Sequence, residues 1–191
     1  MSQTAKSNSG DDLQMIQLRP VGVVRNKSQE ASWDADNGAL TWRKRAAMMK
    51  EQSQAVSELV IDTDLDGILD GIDDFSHLVV LYWAHLIPDE RRSVTKVHPL
   101  GSNDFPLVGI FATHSPVRPN GILVTVVRLI GRDGNILRVT GLDALDGSPI
   151  LDIKPYLPDN QDLEDVRMPE WMSKMREEFR HDQTSGEGRQ D

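Results

Sequence analysis

"ILVTVVRLIGRDGNILRVTGLDAL", residues 122–145, is the segment from which the fold class is most directly predicted. Both halves are rich in Val, Ile and Thr, which are typical of β-strands. Asp133-Gly134 lies between the halves, and an Asp-Gly pair flanked by such runs is a strong signal for a tight turn. The stretch therefore predicts a hairpin of two antiparallel strands.

A second stretch, "DFSHLVVLYWAHL" at residues 74–86, is the most hydrophobic segment of the chain. Successive side chains of a strand point to opposite faces of its sheet. One face here carries His77, Val79, Leu81, Trp83 and His85, and the other carries Leu78, Val80, Tyr82, Ala84 and Leu86. Because both faces are mainly apolar, we expect a central strand with a neighbour on each side.

Three more strands are predicted: "MIQLRPVGVVRN" from Met15, "PLVGIFAT" at residues 106–113 and "SPILDIKPYLP" at residues 148–158. Helices are predicted at residues 43–54 and, in "PEWMSKMREEFRH", at residues 169–181. Five to seven strands with few helices predict a mainly β fold. We expect a small, mostly antiparallel sheet that closes, or nearly closes, into a β-barrel with one or two peripheral helices.

The ends of the chain differ from its centre in composition. Residues 1–14 and 181–191 are polar and poor in apolar side chains, so we expect two disordered tails. The barrel domain is predicted at residues 15–160, and a C-terminal extension that contains the helix at residues 161–180.

Composition limits the function classes. The chain of 191 residues has no cysteine, which excludes disulfides and thiolate metal sites. Its apolar runs are too short to cross a bilayer, so we expect a soluble, cytoplasmic protein without a membrane partner. The five histidines form no motif typical of metal ligands, and we expect no metal. The glycine-rich signatures of dinucleotide and phosphate binding are absent as well.

Two clusters of polar and special residues could carry chemistry. In "HSPVRPNG", residues 114–121, the residue before each proline is held extended, so the backbone is stiff. A plain loop would explain the Pro, Asn and Gly residues, but it leaves His114, Ser115 and Arg118 unexplained. In "GLDALDGSPILDIKPY", residues 141–156, a turn and a surface ion pair would account for the polar residues, and for each feature taken alone this structural explanation is favoured over a functional one.

Three segments together resemble the TsaA/TrmO family of S-adenosylmethionine-dependent tRNA methyltransferases. They are "GIDDFSHLVVLYWAH" at residues 71–85, "VGIFATHSPVRPN" at residues 108–120 and "GLDALDGSPILDIKPY" at residues 141–156. The resemblance implies a small β-barrel that binds S-adenosyl-L-methionine and works as a homodimer. It also implies methylation of N6 of threonylcarbamoyladenosine beside the anticodon of tRNA.

Site residues carried over by position follow from the same resemblance. The implied cofactor-binding residues are His85, Leu86, His114, Arg118, Pro119, Asn120, Val124, Asp146, Gly147, Ser148, Pro149 and Ile150. The implied catalytic residues are Asp143, Asp152 and Tyr156. The two carboxylates among them could face the sulfonium or accept a proton. The sequence departs from the family pattern at His114, where the motif has Arg, and at Gly121, where it has Pro.

The net charge of −9 disfavours tRNA as a partner, because phosphate contacts come from Lys and Arg. Two basic islands, "WRKR" at residues 42–45 and "RRSVTK" at residues 91–96, could supply an RNA-binding surface. Two alternatives therefore stay open. The first is a methyltransferase of the same fold that acts on a small molecule or another adenosine derivative. The second is a barrel that binds S-adenosylmethionine as a sensor or interaction module.

Overall fold

The structure is a computed structural model that describes residues 16–28, 51, 54–157 and 167–176. Eight strands lie in this part of the chain: β1 (Gly22–Arg25), β2 (Ser57–Ile61), β3 (His77–Trp83), β4 (Lys96–Val97), β5 (Val108–Gly109), β6 (Ile122–Asp133), β7 (Ile136–Thr140) and β8 (Pro149–Pro155). Six of them form a closed antiparallel barrel in the order β1-β2-β7-β6-β3-β8. The predicted fold class is confirmed.

The predicted hairpin is formed by β6 and β7. Its turn has a left-handed glycine, Gly134, with φ of 59°, which explains the Asp-Gly pair in the sequence. The 12 residues of β6 allow it to pair with β7 through its second half and with β3 through its first half. This long strand therefore ties the hairpin to the most hydrophobic segment.

The alternation predicted for β3 is confirmed, and the strand has β6 and β8 as neighbours. Leu78, Val80 and Tyr82 point into the barrel, where they are at most 2% exposed. Side chains from all six barrel strands or their connections join them in one core, which includes Leu59, Val127, Leu137 and Ile150. Burial of these apolar groups is the main stabilising contribution to the barrel.

The opposite face of β3 forms part of an apolar surface on the outside of the barrel. Cross-strand pairs place Val79 beside Val126, Leu81 beside Val124 and Trp83 beside Ile122. We call these six residues the outer apolar face. Ile122, Val124 and Val126 are 38%, 50% and 46% exposed, so the face is open to solvent in the single chain.

Two predicted elements differ from the structure. Residues 16–21 of the predicted first strand are not in a strand, and only Gly22–Arg25 pairs with β2. The segment "PLVGIFAT" is not a barrel strand. Two of its residues form β5, which pairs with β4, and Ile110–Ala112 then form a 3-10 helix. Gly109 and the prolines nearby leave too few pairing residues for a longer strand.

The C-terminal helix is present at residues 170–176, directly after Pro169, as predicted. Residues 51 and 54 are also helical, whereas residues 43–50 of the other predicted helix lie outside the described residues. The two predicted tails lie outside them as well. Within the described ranges, no helix is long and apolar enough to span a membrane.

Candidate functional site at one end of the barrel

The first and third motifs meet where β3 ends. His85 follows β3 by two residues, and its Nδ1 lies 3.3 Å from Oγ of Ser148, in the turn before β8. Gly147 in the same turn has φ of 76°, a left-handed conformation that favours glycine. A side chain there would begin 3.6 Å from Nε2 of His85. Two motifs more than 60 residues apart in sequence thus share one site.

The turn that carries Gly147 is fixed by the end of β1. The backbone N–H of Asn26 donates to Oδ1 of Asp146 at 2.9 Å, and the N–H of Asp146 donates to the carbonyl of Ser28 at 2.8 Å. The N–H of Val24 donates to the carbonyl of Ser148 at 2.9 Å. One oxygen of the Asp146 carboxylate therefore serves to hold the turn.

The surroundings of His85 favour its neutral form. Partial burial lowers the pKa of His85, although the nearby carboxylate of Asp146 opposes this shift. A neutral imidazole has one donor and one acceptor nitrogen. The ring can therefore hold Ser148 through Nδ1 and offer Nε2 to a ligand.

Asp143 lies at the same end of the barrel, between β7 and the Gly147 turn. The hydroxyl of Tyr82 donates to Oδ1 of Asp143 at 2.5 Å, and the hydroxyl of Thr125 donates to the same oxygen. The two hydroxyl oxygens are 3.2 Å apart. Burial and the charge of Asp143 raise the pKa of Tyr82, so the phenol keeps its proton.

The second motif forms a proline corner, residues 113–120, that is braced by its own polar groups. Oγ1 of Thr113 accepts from the N–H of Ser115 at 3.2 Å, and Oγ of Ser115 accepts from the N–H of Val117 at 3.3 Å. Val117 is buried, whereas the three predicted cofactor contacts His114, Pro119 and Asn120 are exposed. The stiff backbone predicted from the prolines is supplemented by hydrogen bonds that the sequence did not reveal.

Arg92 lies between the end of β3 and Gly121, the residue that follows the proline corner. Its Nη2 donates to the carbonyls of Ala84 at 2.9 Å and Ile87 at 3.2 Å, and its guanidinium lies 4.8 Å from the ring centre of Trp83. A Cβ at Gly121 would lie only 2.3 Å from Nη1 of Arg92. The glycine that departs from the family pattern therefore makes room for this side chain.

This finding corrects the interpretation of one basic island. The Arg92 side chain is only 13% exposed, so it does not belong to a solvated RNA-binding surface. The other island, residues 42–45, lies outside the described residues. The sequence alone does not show that Arg92 is largely buried, because a buried arginine and an exposed one can have the same local pattern.

Other predicted residues lie away from this end of the barrel. Asp152 is on the outer side of β8, where Nζ of Lys154 lies 2.5 Å from its Oδ2. Tyr156 lies beside His77, with its N–H donating to the His77 carbonyl at 3.0 Å. His77 and Trp83 mark the two ends of β3, roughly 20 Å apart at the usual rise per residue. The three predicted catalytic residues are therefore not brought together.

Val124 and Phe111 are exposed for different reasons. Val124 points outward as part of the outer apolar face. Phe111, in the 3-10 helix before the proline corner, is 78% exposed, and the guanidinium of Arg118 lies 5.8 Å from its ring centre.

Within the described part of the chain, no group of three or more His, Asp or Glu residues could hold a metal ion.

Comparison with known proteins gives one matching family. The model of the tRNA-methyltransferase O N-terminal domain matches residues 44–162. A Methanothermobacter thermautotrophicus protein named "Probable S-adenosyl-L-methionine-binding protein" is 40% identical over 148 residues, which are 78% of this chain and 95% of that protein. A Pseudomonas aeruginosa protein named "Putative S-adenosylmethionine-dependent methyltransferase RcsF" is 36% identical over 124 residues, 64% of this chain and 53% of the relative.

Two solved structures are similar in both sequence and fold. A crystal structure of TrmO has a TM-score of 0.57 and 28% identity, and the match covers 82% of this chain and 62% of that one. A crystal structure of TrmO from Pseudomonas aeruginosa has a TM-score of 0.58 and the same identity, with 84% and 63% covered. The chain thus spans somewhat less than two thirds of these solved proteins.

Proposed function

The chain belongs to the tRNA-methyltransferase O N-terminal domain family, and from that membership we propose that it is an S-adenosyl-L-methionine-dependent methyltransferase whose acceptor is tRNA. The observation that carries the proposal is the contact between His85 and the Gly147–Ser148 turn. Relatives named for S-adenosyl-L-methionine binding or for methyl transfer support the choice of cofactor.

The residues at this end of the barrel fit such a cofactor. It is a polar nucleoside that carries a positive charge on sulfur. His85 and Ser148 offer a hydrogen-bonding pair, and the left-handed Gly147 lets a ligand approach the backbone closely. Asp143 offers a carboxylate that no cation of the described residues neutralises.

When bound, the cofactor supplies an activated methyl group for transfer to a nucleophilic nitrogen. The tasks left to the protein are to orient the two reactants and to exclude water. The turn held by the end of β1 and the proline corner braced by Thr113 and Ser115 are suited to orienting a ligand. The acceptor nitrogen also loses a proton. Of the two carboxylates predicted to accept it, Asp143 lies at this end of the barrel and Asp152 lies on the outer side of β8.

We further propose N6 of threonylcarbamoyladenosine beside the anticodon as the atom that is methylated. Exposed Phe111 with Arg118 beside it supports an RNA acceptor, since unpaired bases in RNA loops stack on aromatic rings and guanidinium planes. The net charge of −9 and the internal position of Arg92 count in the other direction. They favour a small adenosine derivative as the second candidate.

A homodimer is the proposed assembly. The outer apolar face is a contiguous hydrophobic surface on a charged protein, and such surfaces commonly mark an interface. A second copy would cover the same face of its partner by two-fold symmetry. A dimer would also place two copies of the Phe111 and Arg118 pair on one particle. The cytoplasmic location stays a prediction.

The test is methyl transfer from methyl-labelled S-adenosyl-L-methionine. The protein is incubated with tRNA that carries threonylcarbamoyladenosine, with an unmodified transcript of the same tRNA, and with a small-metabolite extract. The proposal predicts label in the modified tRNA alone. Label in the extract alone would establish the second candidate, and cofactor binding without any labelled product would indicate a sensor or interaction module.

A further inference from the structure

Asp143 differs from the other carboxylates near the site in what surrounds it. Asp152 is neutralised by Lys154, and Asp146 accepts a backbone N–H that fixes its turn. Asp143 has no Lys or Arg partner among the described residues, and it is exposed at the end of the barrel. Its negative charge is therefore available to a ligand.

Two neutral hydroxyl groups hold this carboxylate in place. Tyr82 and Thr125 project from neighbouring strands β3 and β6, and both donate to Oδ1 of Asp143. Oδ2 takes part in no hydrogen bond within the described part of the chain. The Tyr82 side chain is 2% exposed, so its position is set by the packed core. One oxygen is thus anchored by the barrel, and the other has no hydrogen-bond partner among the described residues.

We propose that Tyr82 and Thr125 are positioning residues that hold Asp143 as the counter-charge for the cationic cofactor, and that Asp143 is not the base of the reaction. The inference rests on the proposed function, because it concerns the same site.

The hydrogen bonds to Asp143 favour a carboxylate that stays ionised over one that takes up a proton. Hydrogen bonds donated to a carboxylate favour its ionised form. Both donors are neutral, so they orient Asp143 without cancelling its charge. The pKa of Tyr82 is raised, which keeps its proton on the phenol and the bond pointing toward Asp143. An ionised carboxylate distinguishes a sulfonium from the neutral thioether that remains after methyl transfer, and it would favour replacement of product by fresh cofactor.

The test compares two ligands that differ in that charge. Isothermal titration calorimetry gives the Kd of S-adenosyl-L-methionine and of S-adenosyl-L-homocysteine, the neutral thioether, for the full chain and its variants. Asp143→Asn should weaken binding of the cation about tenfold and change binding of the thioether less than about twofold. Asp133→Asn is the matched control. It removes the same charge at the other end of β6, and it should leave both Kd values unchanged.

Tyr82→Phe and Thr125→Val should each reduce the preference for the cation, while Thr125→Ser, which keeps the hydroxyl, should retain it. If Tyr82→Phe does not fold, the two Thr125 variants decide, since Thr125 lies nearer the surface. Equal losses for both ligands in Asp143→Asn would overturn the inference. So would an unchanged preference together with a kcat about a hundredfold lower, the result expected of a base. Failure of the unaltered chain to bind either ligand would instead refute the proposed function.

Discussion

Gly121→Ala should destabilise the protein through Arg92. The new methyl group would lie 2.3 Å from Nη1 and 3.2 Å from Cζ of Arg92, so the guanidinium must move by roughly 1 Å to reach ordinary contact distance. It cannot move freely, because it donates to two carbonyls and stacks on Trp83. Overpacking together with weakened hydrogen bonds should cost about 2 to 3 kcal/mol. For a chain of this size the Tm should fall by about 5 to 10 °C.

A double-mutant cycle isolates the cause. Arg92→Ala removes the obstacle, and the backbone at Gly121 is not in the left-handed region, so alanine is otherwise tolerated there. Adding Gly121→Ala to Arg92→Ala should therefore cost less than about 0.5 kcal/mol, as measured by thermal or urea unfolding. An equal cost in both backgrounds would show that Arg92 is not the cause, and the absence of any cost in the unaltered protein would contradict the predicted clash.

Three further predictions concern the turn, the histidine and the outer apolar face. Because burial lowers the pKa of His85, the folded state binds its proton less readily than the unfolded state, so stability should fall as the pH drops below about 6.5. His85→Gln should make the Tm less dependent on pH between 7.5 and 5.5. Gly147→Ala should cost about 1 to 2 kcal/mol of unfolding free energy, because φ of 76° is unfavourable for alanine. Val126→Lys should convert the proposed dimer to a monomer in sedimentation analysis without lowering the Tm of the monomer.

The parts of the fold that depend on alternation and turn chemistry could be predicted. The Asp-Gly pair located the β6–β7 turn, and period-two burial in β3 separated Leu78, Val80 and Tyr82 from the outward side chains. The short pairing of β4 with β5 could not be predicted. Two residues have no measurable period, and the 3-10 helix after β5 depends on contacts with Thr95 across the small sheet.

The site was predictable only in part, for a similar reason. The motifs indicated His85 and the Gly147 turn, because each motif is continuous in sequence. The partners of Asp143 are 61 and 18 residues distant, and alternation places Tyr82 on the inner face without specifying what its hydroxyl reaches. Register between β3 and β6 decides that contact, and register is a property of the closed barrel. The burial of Arg92 could not be predicted, because it depends on contacts with Ala84, Ile87 and Gly121, which are distant from a regular pattern in the sequence.

Residues 142–145 contribute both to the core and to the site, so a variant in or near this segment can affect stability and binding together. In residues 142–145, Leu142 and Ala144 are at most 1% exposed, while Asp143 between them faces the end of the barrel. A change that loosens the core residues would therefore displace Asp143, and a change at Tyr82 removes a core contact together with a hydrogen bond. Loss of activity alone cannot separate these effects. The ratio of the Kd values of two ligands that differ by one charge can separate them, because a general loosening of the structure would weaken the binding of both ligands.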